Sequence, residues 1–416
     1  MKLSVVICVY NTPREYFEAC LDSITDSTLQ KGGFCESAEY EICVVDDGSA
    51  VDYSDLVEKY KLSYKKTENR GIFCARLAGI AMARGEYIAF VDSDDTVSWN
   101  YHRPMLQLAS REGLDIVIND WAFHTERIRY CCRNDATIRG DLSLKGGEAL
   151  RAFLSQSGLQ HSFYVLWNKL YRTELLRRAA EELSELATGE EMFNFSEDAL
   201  MNFYAFLYAK SVKNIHTGYY FYRIHSSQTV AVTDADKLKR QIDCMAYTLD
   251  RMESEVRGLD NSSELLGYIA AWRELMARSH YSHARGAGFE SLYPYIKEKY
   301  RVARLRKAKY SDGKYYTASL LLPENIRKMD AALLAAYRSG SVARFVTDHG
   351  SEYIKAQLRG LASLGCEVRI DGTGAVIPKP KVLVKNKVIM NSLVRRVGMI
   401  LFPKGSKIRA ILKKKI

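Results

Sequence analysis

Three carboxylates follow a short apolar run in the segment YIAFVDSDDTV, residues 87–97. Asp92, Asp94 and Asp95 stand so close together that their charges repel, and each would resist ionisation unless a cation lay among them. Hard carboxylate oxygens suit Mg²⁺ or Mn²⁺, and Mg²⁺ is usually held by one or two carboxylates together with substrate phosphates. A capped turn is the alternative, but Ser93 and the three acids offer more oxygen ligands than a turn can use. The segment therefore predicts a divalent metal site that binds a diphosphate.

A second acidic pair ends another apolar run in the segment CVVDDGS, residues 43–49. Gly48 allows the chain to turn tightly after Asp46 and Asp47. Acids at such a place act as turn formers or as caps for the helix that begins near Asp55. They can equally face a ligand beyond the end of a strand, and this segment alone leaves both possibilities open.

Two further segments supply an arginine and a third group of acids. In ENRGIFCARLAGIAMARG, Asn69 precedes a helix that carries Arg76, which can contact a base or phosphate or pair with one of the acids. In FNFSEDALMNFYAF, Glu197 and Asp198 open an apolar helical pattern. The helix macrodipole stabilises acids at this position. The functional alternative is a general base that removes the proton from a substrate hydroxyl.

The first 130 residues alternate strand and helix patterns, as in a largely parallel sheet covered by helices. Such sheets bind ligands beyond the carboxyl ends of their strands, where the acids lie. A polar loop is predicted over Gln30–Ser37, an irregular aromatic region over 142–225, and long helices over 234–338. The predicted strands are Leu3–Val9, Glu41–Val45, Tyr87–Val91 and Asp115–Ile118, and the predicted helices are Pro13–Ser27, Ser54–Tyr60, Ile72–Arg84 and Tyr101–Arg111.

The net charge of +10 belongs to the C-terminal segment. Twelve of the 60 Lys and Arg residues lie in 379–416, which has no Asp or Glu, so the other residues carry a net charge of −2. Basic and apolar residues alternate there as in amphipathic helices that lie on an anionic membrane surface. The alternative is a helix packed on this protein or on a second copy. Phe402 alone cannot form an aromatic stacking platform, so no nucleic acid is expected.

Several classes of protein are excluded by what the sequence lacks. It has no G-x-G-x-x-G after a strand and no G-x-x-x-x-G-K-[ST], so neither a dinucleotide fold nor a P-loop is supported. Its nine cysteines form no C-x-x-C pair, which fits a reducing compartment better than disulfides or zinc. No apolar run approaches the roughly 18 residues of a spanning helix. We therefore expect a cytoplasmic protein without a transmembrane helix.

The order of the motifs resembles that of the family 2 glycosyltransferases, inverting enzymes of the GT-A fold. The resemblance covers about residues 1–230 and rests on LSVVICVYNTPREYFEACLDSI, YEICVVDDGS, NRGIFCARLAGIAMARGEYIAFVDSDDTV, VLWNKLYRTELL, FSEDALMNFYAF and YYFYRIHSSQT. It implies that a nucleotide-sugar donor is bound by Val9, Tyr10, Asp46, Asp47, Asn69, Arg76, Asp92 and Ser93. It implies that the metal is held by Asp94, with Asp95 and Asp92, that Asp198 is the catalytic base, and that the acceptor side is formed by Trp167, Asn168, Lys169 and Glu197.

The resemblance also implies an activity and its cofactor. We expect a hexosyl- or N-acetylhexosaminyl-transferase that takes Mn²⁺ or Mg²⁺ and moves one sugar, with UDP as the expected carrier, to a glycan, lipid-linked or polymer acceptor in bacterial cell-surface polysaccharide or teichoic acid synthesis. The processive synthases of the family carry Q-x-x-R-W and spanning helices, and this sequence has neither. Cys8 and Leu77 depart from the Pro and from the Asn of A-R-N that the family often shows, so the donor pocket can differ in detail.

The predicted organisation has four parts. Residues 1–232 form the GT-A catalytic domain, residues 233–340 a helical domain for the acceptor or for oligomerisation, and residues 341–378 a small mixed region. Residues 379–416 form the basic amphipathic tail, which would hold the protein at the inner face of the cell membrane. A homo-oligomer is possible.

Two alternative functions remain open from the sequence. FVDSDDTV also matches the pattern of haloacid dehalogenase-type phosphatases, in which Asp92 would be the nucleophile and Asp94 the acid or base. That motif normally follows the first strand of its domain, whereas two strand patterns precede it here. The other alternative is a non-catalytic scaffold on the membrane surface, whose expected mark would be loss of Asp94 or Asp198.

Overall fold

The computed structural model describes residues 2–29, 39–98, 100–124, 129–130, 141–156, 161–188, 193–223 and 234–303, and three strands within 343–377. The chain separates into two compact units, residues 1–319 and 320–416. The predicted loop Gln30–Ser37 and the predicted tail 379–416 lie outside the described residues. No described helix is both long enough and apolar enough to cross a bilayer.

Ten strands of the first unit form one sheet around which the rest of the unit is built. They are β1 (Leu3–Val9), β2 (Tyr40–Asp46), β3 (Ser63–Lys66), β4 (Tyr87–Phe90), β5 (Thr96–Val97), β6 (Ile116–His124), β7 (Arg129–Tyr130), β8 (Ser143–Lys145), β9 (Lys169–Arg172) and β10 (Ser211–Arg223). Their order is β3-β2-β1-β4-β9-β6-β10-β5, with β7 beside β6 and β8 beside β10. Strands β1 to β4 are parallel, β9 is antiparallel to both neighbours, and β6 and β10 are again parallel. The predicted α/β fold with a mostly parallel sheet is confirmed.

The helices of the first unit cover the sheet, and the three helices within residues 235–299 form a further helical layer. They are α1 (Arg14–Leu29), α2 (Ser54–Tyr60), α3 (Ile72–Met82), α4 (His102–Glu112), α5 (Gly147–Gln156), α6 (His161–Tyr164), α7 (Thr173–Glu182), α8 (Glu197–Tyr208), α9 (Ala235–Val256), α10 (Ser262–Gly286) and α11 (Tyr293–Lys299). Helix α8 is apolar on all sides and buried from Ala199 to Phe206, as expected of a helix surrounded by protein. It packs against α5, α7 and α9.

The sequence patterns located most of the first half of the sheet, with two informative differences. Strand β6 continues to His124 instead of ending at Ile118, because its last five residues pair with Tyr219–Arg223 of β10. Strand β3 was not predicted, since SYKK has no apolar run. It lies at the edge of the sheet beside β2. Its residues are half-buried or exposed, so the strand contains no apolar run.

Helices α9 to α11 share the core of the first unit. The apolar residues of α9 recur at helical spacing and are buried, and Asp234 caps its start by accepting a 2.7 Å hydrogen bond from the N–H of Lys237. Trp272 of α10 lies edge-on to Phe153 of α5, with ring centroids 6.0 Å apart. The predicted boundaries at 232/233, 340/341 and 378/379 stay predictions.

The second unit contains a three-stranded sheet. Its strands are β11 (Ala343–Val346), β12 (Val368–Asp371) and β13 (Ala375–Ile377). Strand β12 is central, parallel to β11 and antiparallel to β13. All three strands fall within residues 341–378, the predicted small mixed region.

A close contact between α3 and β1 sets the height of α3 above the sheet. Gly79 is buried on the inner face of α3, and a methyl group added to it would overlap the side chain of Val6. Because Arg76 lies one turn earlier on the same helix, this contact also fixes the depth at which its guanidinium enters the protein.

Replacing Gly79 by alanine should therefore destabilise the protein despite alanine's better helix propensity. We expect the free energy of unfolding to fall by about 1–3 kcal/mol, as for other overpacked cores. The matched control is Gly267→Ala in α10, where an added methyl group meets nothing within 4 Å. That variant should gain about 0.5–1 kcal/mol from helix propensity alone. Urea unfolding measures both changes, and equal gains in the two variants would contradict the close packing of α3 on β1.

Candidate active site

The acids of the first two motifs meet at one edge of the sheet. Strands β1, β2 and β4 are parallel and in register, with Val9 opposite Asp46 and Val6 opposite Phe90. Their carboxyl ends therefore lie side by side, and Asp46, Asp47 and Asp92 follow there. After β4 the chain turns back, and the N–H of Asp95 donates a 3.0 Å hydrogen bond to the carbonyl of Asp92.

A single buried arginine joins this edge to the third group of acids. The side chain of Arg76 is only 5% exposed, and its Nη2 lies 3.3 Å from Oδ1 of Asp92. Its Nη1 donates to Oε1 of Glu197 at 2.7 Å and to Oδ1 of Asp198. Helix α3 thus carries one guanidinium between the end of β4 and the start of α8.

The three carboxylates around Arg76 carry more negative charge than one guanidinium neutralises. Burial, which disfavours the charged form, raises the pKa of Glu197 to about 8, and the neighbouring charge of Asp198 adds to the rise. Burial likewise raises the pKa of Asp92 to about 6, although Arg76 opposes the shift. Glu197 therefore retains a proton near neutral pH.

Residues 92–95 form the DSDD turn, in which Asp94 and Asp95 occupy different environments. The carboxylate of Asp95 is 1% exposed and accepts hydrogen bonds from the hydroxyl of Tyr220 and the N–H of Arg223, both at 2.6 Å. Asp94 is half-buried, and its backbone carbonyl accepts from Nε of Arg223 at 2.5 Å. Ser93 is buried, with its hydroxyl 2.6 Å from that of Thr12. Asp95 thus anchors the turn from inside, while Asp94 remains at the surface of the site.

Residues 46–49 form the DDGS turn, which is stabilised by hydrogen bonds to its own carboxylates. Oδ1 of Asp46 accepts from the N–H of Ser49 at 2.7 Å, and Oδ2 accepts from the hydroxyl of Tyr64 at 2.6 Å. Asp47 accepts 2.8 Å hydrogen bonds from the N–H groups of Arg70 and Gly71. Neither acid caps α2, because the N–H of Ser54, its first residue, donates to Oδ1 of Asp52 at 2.9 Å. The turn former predicted from the sequence is therefore observed, and the helix cap is not.

The loop that Asp47 holds also carries Asn69 close to the turn. A Cβ on Gly48, which has a φ of +81°, would lie 2.7 Å from the backbone nitrogen of Asn69, so only glycine fits there. Val9 is buried at the end of β1, and Tyr10 beside it is 53% exposed. The predicted donor-binding residues are thus brought together along one edge. Their contacts with a nucleotide stay predictions.

The predicted acceptor residues 167–169 lie below the surface. Trp167 is stacked on Tyr220 with ring centroids 4.3 Å apart, and it also stacks on Tyr222 at 5.8 Å. Asn168 and Lys169 are fully buried, and Nζ of Lys169 donates to Oδ1 of Asn168 at 2.8 Å and to the carbonyl of Val165. Burial lowers the pKa of Lys169 well below its usual range. Asn168 and Lys169 therefore support the turn under Trp167 from inside.

Tyr220 and Arg223 also belong to the site, although no sequence motif indicated them. The hydroxyl of Tyr220 donates to Asp95 and also accepts from the N–H of Asp92 at 3.0 Å, so one phenol ties both ends of the DSDD turn. The segment YYFYRIHSS was noted for its aromatic content. The two-residue period of a strand puts Tyr220 and Tyr222 on one face, which is a signal that could have indicated Tyr220 but not Arg223.

A metal ion at this site would take ligands from both protein and substrate. Within the described ranges, no three His, Cys, Asp or Glu side chains converge as a preformed metal centre. The donors that face the site are the half-buried carboxylates of Asp94 and Asp92. Two hard oxygen donors fit a cation whose remaining ligands are phosphate oxygens and water.

Comparisons with known proteins agree with this geometry. Residues 4–178 match the family model described as Glycosyl transferase family 2. The chain is 33% identical over 236 residues to EpsH of Bacillus subtilis, which is named as a glycosyltransferase. That alignment covers 55% of this chain and 62% of EpsH, so the chain spans less than two thirds of that relative.

Two other relatives have more specific names. The poly(ribitol-phosphate) beta-glucosyltransferase of Bacillus spizizenii is 40% identical over 104 residues, which cover 23% of this chain and 15% of that enzyme. The crystal structure of S. aureus TarS 1–349 in complex with UDP-GlcNAc is 18% identical, with a TM-score of 0.44, and covers 76% of this chain and 93% of that one.

The sheet order and the acidic edge define an α/β domain whose candidate site lies at the carboxyl ends of parallel strands. Residues 4–178 match glycosyl transferase family 2, the family that the motifs resemble. The resemblance is confirmed over these residues.

Glu197→Gln should gain stability relative to the wild type as the pH rises from about 5 to about 8. Glutamate in an unfolded chain has a pKa of about 4.3, whereas burial raises the pKa of Glu197 in the folded protein to about 8. In this range the folded wild type retains a proton that the unfolded chain has lost. Its free energy of unfolding therefore falls by up to about 1.4 kcal/mol per pH unit on account of this residue. Glutamine carries no such proton, and urea unfolding across the range measures the difference.

Glu112→Gln provides the control with the opposite shift. Lys213 donates to Glu112 at 2.6 Å and lowers the pKa of that carboxyl. Its stabilising effect is lost only as the pH falls through the acid range, so its difference from the wild type should stay constant between about pH 5 and pH 8. A constant difference for Glu197→Gln as well would contradict a protonated Glu197.

Proposed function

We propose that this protein is an inverting glycosyltransferase that moves a single sugar from a nucleotide diphosphate donor to an acceptor hydroxyl. The observation that carries the proposal is the position of Arg76, which contacts Asp92 on one side and Glu197 and Asp198 on the other. One guanidinium therefore contacts both the strand edge at which we propose that the donor binds and the carboxylate that we propose as the base. Single displacement with inversion needs this arrangement, because the attacking hydroxyl and the leaving diphosphate are on opposite faces of the sugar.

The donor would lie along the carboxyl ends of β1, β2 and β4. Tyr10 is exposed there and can stack on a base, while Asp47 holds the adjoining loop by two backbone hydrogen bonds. Each carboxylate oxygen of Asp47 keeps a second lone pair for the base. We expect Asp92 to face the ribose and UDP to be the nucleotide.

The diphosphate would lie over the DSDD turn, with Mn²⁺ or Mg²⁺. Asp94 is best placed to hold the cation, with Asp92 beside it, since both carboxylates are half-buried rather than enclosed. Asp95 supports the turn, because Tyr220 and Arg223 occupy its oxygens. When bound, the cation supplies positive charge that stabilises the diphosphate as it leaves.

Asp198 would act as the general base. Its Oδ1 accepts from Arg76, and its Oδ2 is 3.4 Å from the N–H of Leu166. These two contacts fix the plane of the carboxylate and leave lone pairs for the O–H of an acceptor. Removal of that proton as the hydroxyl attacks makes the oxygen a better nucleophile. Glu197, beside it, would contact the acceptor while holding Arg76 in place.

The acceptor class is inferred from relatives. One of them is named as a poly(ribitol-phosphate) beta-glucosyltransferase. We therefore favour a hexose or N-acetylhexosamine as the sugar and a glycan, lipid-linked or polymer hydroxyl of the bacterial cell surface as the acceptor. Trp167 and Tyr220 are buried, whereas Tyr222, which stacks on Trp167, is half-buried and is the ring of this group that an acceptor could contact.

The phosphatase alternative gains no support from the fold. Asp92 follows β4, with three strands of the same sheet before it along the chain, whereas a phosphatase nucleophile normally follows the first strand. The scaffold alternative is addressed by the experiment below.

Calorimetry with nucleoside diphosphates and nucleotide sugars, with and without Mn²⁺, tests the proposal. We expect the wild type to bind one nucleotide in a metal-dependent manner and Asp94→Asn to lose that binding. Asp198→Asn should bind the donor within about threefold of the wild type, because the base does not contact it. Its turnover should fall by about 10²–10⁴-fold, the usual contribution of a general base.

The matched control is Asp55→Asn, which removes an exposed carboxylate of α2 that pairs with Arg14 of α1. It should change neither binding nor turnover. Absence of binding to every nucleotide would reject the transferase and favour the scaffold or the phosphatase. The phosphatase would then be detected as phosphate trapped on Asp92.

We also propose that the segment 379–416 holds the protein on anionic membrane at the inner face of the cell membrane. Each basic residue near such a surface contributes about 1 kcal/mol. Replacing Lys413, Lys414 and Lys415 by glutamine should therefore weaken sedimentation with phosphatidylglycerol vesicles about 100-fold. Deleting 379–416 should abolish it.

Vesicles of phosphatidylcholine alone are the control for charge, and donor binding by calorimetry is the control for folding. Both variants should bind donor as the wild type does. Vesicle binding that survives the deletion would refute the membrane proposal. A change in sedimentation velocity on deletion would instead indicate that the segment mediates self-association.

A further inference from the structure

The segment 193–196 leads into α8 and is packed against the helical layer. Phe193 lies edge-on to Tyr247 of α9, with ring centroids 5.9 Å apart. The ring of Phe195 packs against that of His280 of α10, with ring centroids 5.9 Å apart. Helices α9 and α10 therefore contact the residues that immediately precede Glu197 and Asp198.

The same segment contacts the loop held by Asp47. Asn194 lies directly over Gly71, where an added Cβ would overlap the Asn194 side chain. The backbone N–H groups of Asn194 and Phe195 interact with the thiol of Cys244 in α9. The segment is therefore enclosed between the donor edge on one side and α9 on the other.

Ser196, the residue before α8, has an unusual backbone and an unusual hydrogen bond. Its φ of 62° and ψ of 9° are left-handed, a conformation that residues with a Cβ rarely adopt. A serine at this position normally caps its own helix by accepting from a backbone N–H. Ser196 makes no such bond. Its Oγ lies 2.8 Å from Oγ1 of Thr248, and both residues are buried.

The contact with Thr248 replaces the ordinary cap. The backbone torsions of Ser196 determine the direction in which α8 starts, and Asp198 is the second residue of that helix. The carbonyl of Ser196 accepts a 3.1 Å hydrogen bond from the N–H of Leu200, so the first turn is built directly on it. A rotation at Ser196 would move Asp198 away from Arg76 and from the N–H of Leu166.

We infer that Thr248 is a positioning residue for Asp198, and that α9 is thereby a part of the active site rather than a separate module. The inference rests on the proposed role of Asp198 as the base. Thr248 contacts no substrate in this scheme. It acts through Ser196, by holding the left-handed residue from which α8 starts.

Hydrogen exchange of Thr248→Val tests the physical part of this inference without any ligand. Valine keeps the shape of threonine but leaves the hydroxyl of Ser196 without its partner. We expect the amides of 194–202 to exchange at least tenfold faster than in the wild type. Thr248→Ser retains the hydroxyl and should restore protection to within threefold.

Thr173→Val is the matched control. Thr173 is also buried, and its hydroxyl donates a 2.6 Å hydrogen bond to the carbonyl of Gly85, which is outside the segment 194–202. Loss of this hydrogen bond should raise hydrogen exchange of the amides near residues 85 and 173 and leave exchange of the amides of 194–202 unchanged. Unchanged exchange of 194–202 in Thr248→Val, or an equal rise in Thr173→Val, would overturn the inference. If Thr248→Val does not fold, Ser196→Ala removes the same hydrogen bond and is interpreted in the same way.

Turnover separates positioning from general support of the fold. With UDP-GlcNAc and Mn²⁺ as the probe, Thr248→Val should bind the donor with an unchanged Kd and release UDP at least tenfold more slowly, and Thr248→Ser should recover most of the rate. Loss of donor affinity together with rate would reject the positioning role. A wild type that binds no nucleotide would reject the proposed function, while the exchange result would still show whether Thr248 holds the start of α8.

Discussion

The site depends on one guanidinium enclosed by three carboxylates. Arg76 comes from α3, Asp92 from the end of β4, and Glu197 and Asp198 from the start of α8, so three elements meet at a single charge. Removal of one partner from a buried ion pair leaves an uncompensated charge in a medium that solvates it poorly. The close approach of Gly79 to Val6 brings the guanidinium to this depth, and the proton that Glu197 retains offsets part of the excess negative charge.

Around this cluster, the turns of the active site are held by side chains rather than by regular secondary structure. Asp47 holds the 69–71 loop, Tyr220 ties the DSDD turn, and Lys169 supports the turn beneath Trp167. Each of these polar groups is buried and has partners, as a site requires if its geometry is to be set before substrate arrives. The carboxylates of Asp92 and Asp94 are half-buried and so remain partly exposed to solvent.

The helical layer continues the core of the sheet. Helix α8 is surrounded by α5, α7 and α9, and Trp272 of α10 reaches Phe153 of α5. The family match ends at residue 178, before the acidic pair and before helices α8, α9 and α10. In this chain the acids at 197 and 198 are nevertheless held by contacts from α9 and α10 to the segment in front of them.

The sequence by itself determined the strands β1, β2 and β4, the acids at their ends and the family, because short apolar runs followed by carboxylates are local patterns. Partners distant in sequence could not be read in this way. Arg76 donates a hydrogen bond to Glu197, which is 121 residues away in sequence, and Tyr220 donates one to Asp95, which is 125 residues away. The sequence left open whether Arg76 contacts a phosphate or an acid, and it did not separate the enclosed Asp95 from the half-buried Asp94. Only the tertiary structure decided these points, because burial and charge pairing depend on which elements pack together, and local periodicity records only which face of each element is apolar.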